Sequence, residues 1–306
     1  MRIGFIGLGT MGASMALNLQ AAGHQLAVND LRRDAAAPHI KNGATWAASA
    51  RDAGAGADIV FTSLPGPREV EAVADELIES MRAGTAWFDL STNSPTVVRK
   101  LHARFAAKNI ALLDAPVSGG PVGAKSGKLA LWVGGERAQF DRHHAVLGAI
   151  GDQVLYIGDI GAGSVAKLVH NCAGYAIQAA LAEVFTLGVK AGVPPLDLWA
   201  AVRQGFLGRM RTFDRLGKQF LQGVFDPPDF ALKLAHKDVT LAIELGRELG
   251  VPMRVSGLAH AEMTEALNRG WAERDSRVAM LLQEERAGVD IKVPAAAIQQ
   301  VFDRDG

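Results

Sequence analysis

Residues 2–12 read Arg-Ile-Gly-Phe-Ile-Gly7-Leu8-Gly9-Thr10-Met11-Gly12, three glycines at G-x-G-x-x-G spacing directly behind a short apolar run. That run has the length and composition of a buried strand. A helical pattern follows, with Met11, Met15 and Leu19 three to four residues apart until Gly23 interrupts it. A second strand-like run over 25–29 ends at Asp30. Strand, glycine turn, helix, strand and acid, in that order, specify a βαβ unit of the kind that binds a dinucleotide. Gly7 suits the tight turn, Gly9 lets main-chain N–H groups approach a pyrophosphate, and Gly12 lets the helix lie close on the strand. Leu8, Thr10 and Met11 complete the expected cofactor loop, and the helix N-terminus adds positive potential for phosphate.

Up to about residue 160 strand-like and helix-like segments keep alternating. Runs at 57–64 (ADIVFTSL), 85–90 (TAWFDL), 110–117 (IALLDAPV), 129–134 (LALWVG) and 154–157 (VLYI) are apolar and β-rich, with helical stretches at 68–81 and 95–108. Near-continuous apolar strands separated by helices predict a doubly wound, parallel α/β sheet covered on both faces. Beyond Gly161-Ala-Gly163 the strand signals stop. One helical pattern covers 164–192, and others cover 196–204, 211–221, 231–249 and 256–269, with a last beginning near Asp275 and a loosely patterned tail at 291–306. The expectation is a Rossmann-type domain over 1–162 and an all-α domain over 163–306, joined by the long helix.

Composition removes several function classes. Lys and Arg number 32 and Asp and Glu also 32, so the whole chain offers no electrostatic footprint for nucleic acid or an anionic membrane. There is one cysteine, Cys172, which excludes an intrachain disulfide and points to a reducing compartment. With no apolar run of membrane-spanning length and no signal-peptide layout, the expected location is cytoplasmic. No His/Cys/Asp/Glu set has metal-ligand spacing, so no metal is expected.

An acid at the end of the second strand of such a unit accepts hydrogen bonds from ribose hydroxyls and repels a 2′-phosphate. Asp30 stands there, which favours NAD over NADP. Arg32 and Arg33 follow and could pair with a 2′-phosphate, or lie in a solvated loop. Leu64-Pro65, at the end of a strand, is expected to touch the cofactor in the crevice such sheets form.

Three further segments are expected at a crevice between the domains: Asp89-Leu-Ser-Thr92-Asn93, then Asp114-Ala-Pro-Val-Ser118-Gly119-Gly120, then Gly163-Ser-Val-Ala-Lys167-Leu-Val-His170-Asn171. Ser118 followed by two glycines exposes successive N–H groups beside a hydroxyl, an arrangement suited to a carboxylate, although glycine turns are also common loop punctuation. Lys167 and Asn171 are four apart in the long helix and so project from one face. A lysine in an apolar helix is a candidate proton donor and acceptor if buried, or a stem that snorkels to solvent. Asn171 is a candidate for orienting substrate or for a buried structural contact.

These segments, in this order, resemble the β-hydroxyacid dehydrogenase family, which includes 3-hydroxyisobutyrate dehydrogenase and tartronate semialdehyde reductase, with 6-phosphogluconate dehydrogenase as a distant relative. The resemblance runs from Gly7 to about Pro252 and has a further anchor in Phe230-Ala-Leu-Lys-Leu-Ala-His-Lys237-Asp238. It implies Lys167 as general acid/base, Asn171 as orienting residue, and Ser118, Gly119 and Gly120 as the hold on a substrate carboxylate. It implies that Thr92 sits near nicotinamide and substrate, that Phe230 and Asp238 close the site, and that Lys237 reaches the cofactor. The expected activity is NAD-dependent interconversion of a small β-hydroxy acid and its semialdehyde or ketone, with 3-hydroxyisobutyrate as default and tartronate semialdehyde or another 3-hydroxy (di)acid as alternative. Without the resemblance, Lys237-Asp238 reads as a solvated helix step. Glu69 stands where some relatives carry Asn. Arg209 and Arg211 lie where relatives place substrate-distinguishing residues, and select a second acidic group or form ordinary surface. A non-catalytic NAD-binding module is the reading of a different class, disfavoured by intact Lys167 and Asn171. The resemblance also implies a homo-dimer or homo-tetramer.

Overall fold

A computed structural model describes residues 1–190, 192–205, 209, 214–248, 250 and 253–305. The chain divides into two compact units, Met1–Val169 and His170–Gly306.

The first unit is built on a nine-stranded sheet. Its strands are β1 (Arg2–Ile6), β2 (Gln25–Asn29), β3 (Thr45–Trp46), β4 (Ile59–Thr62), β5 (Ala86–Asp89), β6 (Ala111–Asp114), β7 (Val117–Ser118), β8 (Leu129–Gly134) and β9 (Gly151–Gly158). The order β3-β2-β1-β4-β5-β6 is wholly parallel, the arrangement of a doubly wound nucleotide-binding sheet. Seven helices cover or connect it: α1 (Gly12–Ala21), α2 (Ala37–Lys41), α3 (Ala50–Gly54), α4 (Pro67–Leu77), α5 (Pro95–Ala106), α6 (Gly120–Ser126) and α7 (Arg137–Leu147). Period-two alternation explains why the strands read as continuously apolar. Phe5, Phe61, Phe88 and Leu113 enter one core cluster, while their neighbours Ile6, Val60, Trp87 and Leu112 enter another. Each strand thus buries both faces.

Two local readings of this unit are corrected. The run 110–117 is two strands, β6 and β7, separated by Ala115-Pro116; proline has no N–H to donate to a ladder. β8 then runs antiparallel to β6 and β7, so the far edge of the sheet is mixed. The glycine turn after Ser118 also opens directly into a short helix, α6, with Pro121 in its first turn.

α8 (Ala162–Lys190) follows without a break and leads into the second unit. That unit is helical: α9 (Pro195–Gln204), α10 (Asp214–Lys218), α11 (Leu232–Glu248), α12 (Arg254–Asn268), α13 (Leu281–Ala287) and α14 (Ala295–Asp305). Trp199, Phe220, Leu221, Phe225, Val239, Met263 and Val278 form its core. The loosely patterned tail is corrected: α14 sets Ile298 and Val301 into that core, with Ala297 and Phe302 packed against it and Ile291 and Val293 before it. The helix expected from Asp275 begins at Leu281 instead. Asp275 caps a 3-10 turn, Ser276–Met280, by accepting from Arg277 N at 3.0 Å. Arg211 and Met210 lie outside the described residues.

Candidate active site

Strand register explains why scattered segments meet at one edge of the first unit. Ile6 pairs with Asn29 and with Thr62, Thr62 with Asp89, and Asp89 with Asp114. These five residues end their strands in a single row. The chain therefore leaves the sheet side by side at Gly7, Asp30, Leu64-Pro65, Thr92 and the loop leading to Ser118. This is the carboxyl edge, where the order reverses between β1 and β4 and where ligands of such sheets bind.

The glycine loop separates what the fold needs from what a ligand needs. Gly7 has φ +94°, a backbone conformation that side chains resist. A Cβ on Gly12 would drive into the carbonyl of Gly7 and come within 3.3 Å of the Phe5 ring, so the fold itself demands glycine there. A Cβ on Gly9 would meet nothing within 4 Å. The chain's own packing makes no use of that glycine, and the open space above it fits a pyrophosphate held by main-chain N–H groups at the start of α1. Asp30 is half-buried; its Oδ2 accepts from Leu8 N at 2.7 Å and its Oδ1 from Arg32 N at 2.8 Å. One carboxylate ties the glycine loop to the end of β2 and retains lone pairs for hydroxyl donors. Arg32 and Arg33 are exposed beside it.

Two buried acids end β5 and β6. Asp89 accepts from Thr62 Oγ1 and Asn93 Nδ2, each at 2.9 Å, and from Ser91 N at 3.1 Å. Ser91 Oγ in turn accepts from Leu64 N at 2.9 Å. Leu64 and Thr92 thus hang from one hydrogen-bonded cluster. Asp114 accepts from Gly161 N at 2.7 Å and Ser164 N at 2.6 Å, the first turn of α8. Burial pushes both carboxyls above the usual range, against the pull of their donors. Neither acid was singled out from sequence. The available signal was an Asp closing an otherwise apolar strand, since a buried carboxylate must find donors.

Ser118 is half-buried in β7, paired with Ala130, and Gly119 (φ +134°) and Gly120 behind it are exposed. Lys167 is half-buried on α8, one turn past Ser164.

In the second unit, Asn171 Nδ2 donates to Asp238 Oδ2, and Lys237 Nζ lies 2.8 Å from Asp238 Oδ1. Asp238 is 1% exposed, so α11 presents a buried carboxylate held by an amide on one oxygen and an ammonium on the other. The solvated-step reading of Lys237-Asp238 is thereby removed. Phe230 is half-buried and stacks on Tyr175 with centroids 6.5 Å apart. Its N–H reaches Asp275 Oδ2 at 3.3 Å, and its carbonyl accepts from Ser276 N at 2.8 Å. Asp275 is wholly buried and paired with Arg277 at 2.8 Å. Sequence reading missed this support for Phe230 because its partners are over forty positions apart. Arg209 is exposed, its Nε donating to Gln204 O at 2.9 Å. Among the described residues no group of three or more His, Cys, Asp or Glu could hold a metal, and no helix is long and apolar enough to cross a membrane.

Family models match both halves of the chain. Residues 2–158 match the NAD binding domain of 6-phosphogluconate dehydrogenase, and residues 161–282 the NAD-binding segment of NADP-dependent 3-hydroxyisobutyrate dehydrogenase. The chain belongs to the β-hydroxyacid dehydrogenase family. It is accordingly an oxidoreductase, a hydroxyacid dehydrogenase that uses NAD. A 2-(hydroxymethyl)glutarate dehydrogenase of Eubacterium barkeri is 34% identical, over 95% of this chain and 97% of that protein. An NAD-dependent L-serine dehydrogenase of Pseudomonas aeruginosa is also 34% identical, over 94% and 99%. Among solved structures, Mycobacterium tuberculosis 3-hydroxyisobutyrate dehydrogenase with L-serine has a TM-score of 0.83 at 29% identity, covering 92% of this chain and 98% of that one. A small hydroxy acid is the class of substrate the family implies.

Proposed function

We propose that the substrate is a 3-hydroxypropanoate substituted at C2, oxidised at its CH2OH group to the semialdehyde, with 3-hydroxyisobutyrate as first choice and, as alternative, another 3-hydroxy (di)acid or the reverse reduction of tartronate semialdehyde. The compounds named for the relatives support this: 3-hydroxyisobutyrate, L-serine and 2-(hydroxymethyl)glutarate all carry CH2OH on the carbon that bears the carboxylate. The observation that carries the reading is the row of strand ends. It brings the glycine loop, with its open space over Gly9, to the same sheet edge as the Asp114 cap of the lysine-bearing helix.

Bound NAD+ supplies the hydride acceptor. Gly7, Leu8, Gly9, Thr10, Met11 and Gly12 hold its pyrophosphate by main-chain N–H groups, and Asp30 accepts from ribose hydroxyls and repels a 2′-phosphate. Leu64 and Pro65 touch the cofactor, Thr92 sits near its nicotinamide, and Lys237 reaches it from α11. Ser118, Gly119 and Gly120 take the substrate carboxylate, Asn171 orients the substrate, and Phe230 and Asp238 close the site. Lys167 Nζ accepts the hydroxyl proton as the carbinol C–H bond breaks, and returns it in the reductive direction. Residues 1–162 serve as the dinucleotide domain and 163–306 as the substrate and subunit-contact domain. The free, buried Cys172 supports a cytoplasmic location, and exposed Val169 and Ile177 on α8 support a homo-dimer or homo-tetramer.

Absorbance of reduced nicotinamide, with NAD+ and NADP+ in parallel across mono-acids, di-acids and sulfonates, tests the reading. Turnover of 3-hydroxyisobutyrate or serine with NAD+ is expected, and Lys167→Ala should lower kcat by at least ~10² while leaving NAD+ affinity unchanged. Silence across the panel with NAD+ bound, or a fully active K167A, would overturn it.

A further inference from the structure

Asp114 occupies a place that neither strand packing nor the fold's core explains. It is 1% exposed at the end of β6, and each carboxylate oxygen takes one main-chain N–H from the start of α8. Those N–H groups are among the donors that a helix start leaves without an intrahelical partner. The surroundings are shaped to this contact. A Cβ on Gly134 would lie 2.6 Å from Asp114 Oδ1 and 2.9 Å from Ala162 N. One on Gly163 would strike the carbonyl oxygens of Trp132 and Asp114. Helix start, β6 and β8 therefore meet backbone to backbone with the carboxylate as the joint. Four residues after Asp114 the same chain reaches Ser118; three residues after Ser164 the helix reaches Lys167.

We propose that Asp114 is a positioning residue for the reaction: its carboxylate locks the first turn of α8 to β6 and so fixes Lys167 relative to the Ser118–Gly120 loop. The proposal rests on Lys167 as the acid/base. The joint acts in two ways. It sets distance, because the loop begins four residues after Asp114 and the lysine lies three residues after Ser164, whose N–H the carboxylate holds. It also sets charge, because a carboxylate at a helix N-terminus offsets the positive end of the dipole that Lys167 would otherwise feel. Proton transfer is sensitive to both, since displacements of about 1 Å can cost on the order of 10²-fold in rate.

Asp114→Asn is the test, because Asn keeps one acceptor oxygen but must turn an NH2 toward the second N–H. NAD+ Kd by titration calorimetry, kcat against pH with the fastest-turned-over of 3-hydroxyisobutyrate, L-serine and 2-(hydroxymethyl)glutarate, and titration of 13C-dimethylated Lys167 by NMR are measured in wild type, D114N and K167A. For D114N the expected result is NAD+ affinity within about 3-fold of wild type and kcat down ~10-fold or more. Its kcat limb and Lys167 titration should both move to lower pH as the neighbouring anion is lost. If D114N does not fold, Gly161→Ala is read in its place: at φ +91° a side chain strains the N–H that donates to Oδ1, and the added Cβ meets only the guanidinium of exposed Arg99. Wild-type kcat and an unmoved Lys167 titration in D114N, with K167A inactive, would overturn the positioning role alone. A fully active K167A would overturn the lysine's role and this inference with it.

Discussion

Gly9 and Gly12 occupy one loop, and the structure assigns their glycines to different causes, which makes them separable. At Gly12 an added methyl meets the Gly7 carbonyl and, at 3.3 Å, the Phe5 ring, both part of the first unit's frame. Gly12→Ala should therefore destabilise the apo-protein by about 1–3 kcal/mol, the usual cost of overpacking. At Gly9 the methyl enters open space, and its φ is not in the left-handed region. Gly9→Ala should then leave apo-stability unchanged, or raise it by about 0.4–1 kcal/mol through a less flexible unfolded chain. The methyl would instead stand where pyrophosphate oxygens must come to reach main-chain N–H groups. Losing one such charge-assisted bond costs roughly 1.5–3 kcal/mol, or ~10- to 150-fold in Kd. Thermal unfolding without ligand and calorimetric NAD+ titration read the two effects independently. Wild-type NAD+ affinity in G9A would refute the assignment of that space to the cofactor. A large loss of apo-stability in G9A would refute the reading of open space.

Two other perturbations follow from particular carboxylates. Asp30→Ala should weaken NAD+ binding and narrow the NAD+/NADP+ preference by ~10-fold or more, because it removes both the ribose acceptor and the anion facing a 2′-phosphate; parallel kcat/KM values check it, and an unchanged ratio would sink the discrimination argument. Glu284 on α13 is 6% exposed, and burial pushes its carboxyl from 4.5 up to about 7, helped by Asp290 and Glu285 and opposed by the Ile291 N–H and Lys292. The native state then holds that proton more tightly than the unfolded chain, so its contribution is full below about 4.5 and is lost as pH rises toward about 7. Up to ~3 kcal/mol is at stake at 1.36 kcal/mol per unit. Urea unfolding across this range should show the decline in wild type and a flatter profile in Glu284→Gln; parallel profiles would exclude Glu284 as the source.

Much of this was legible along the chain because the determinants are local. Gly7, Gly12 and Asp30 lie within one βαβ unit, where spacing alone dictates turn, packing and acid. The apolar runs at β4, β5, β6 and β8 announce a two-sided sheet, since only strands buried on both faces can dispense with polar alternation. Shorter signals failed for equally physical reasons. The apolar positions of α14 are interleaved with polar residues near the chain's end, and the break at Pro116 rests on one missing N–H inside a run that otherwise reads as a single strand. The Asp275–Arg277 support under Phe230 joins residues distant in sequence, and no periodicity encodes such a pair.

The sequence by itself determined the element types, the parallel α/β class and the cofactor loop, because each depends on residues within a few positions of one another. Tertiary structure alone decided which acids are buried and what they hold: Asp89 under Leu64 and Thr92, Asp114 on the first turn of α8, Asp238 between Asn171 and Lys237. A carboxylate's role depends on which donors surround it once water is excluded. Those donors come from strands and helices brought together by register and packing, not by neighbourhood in the chain.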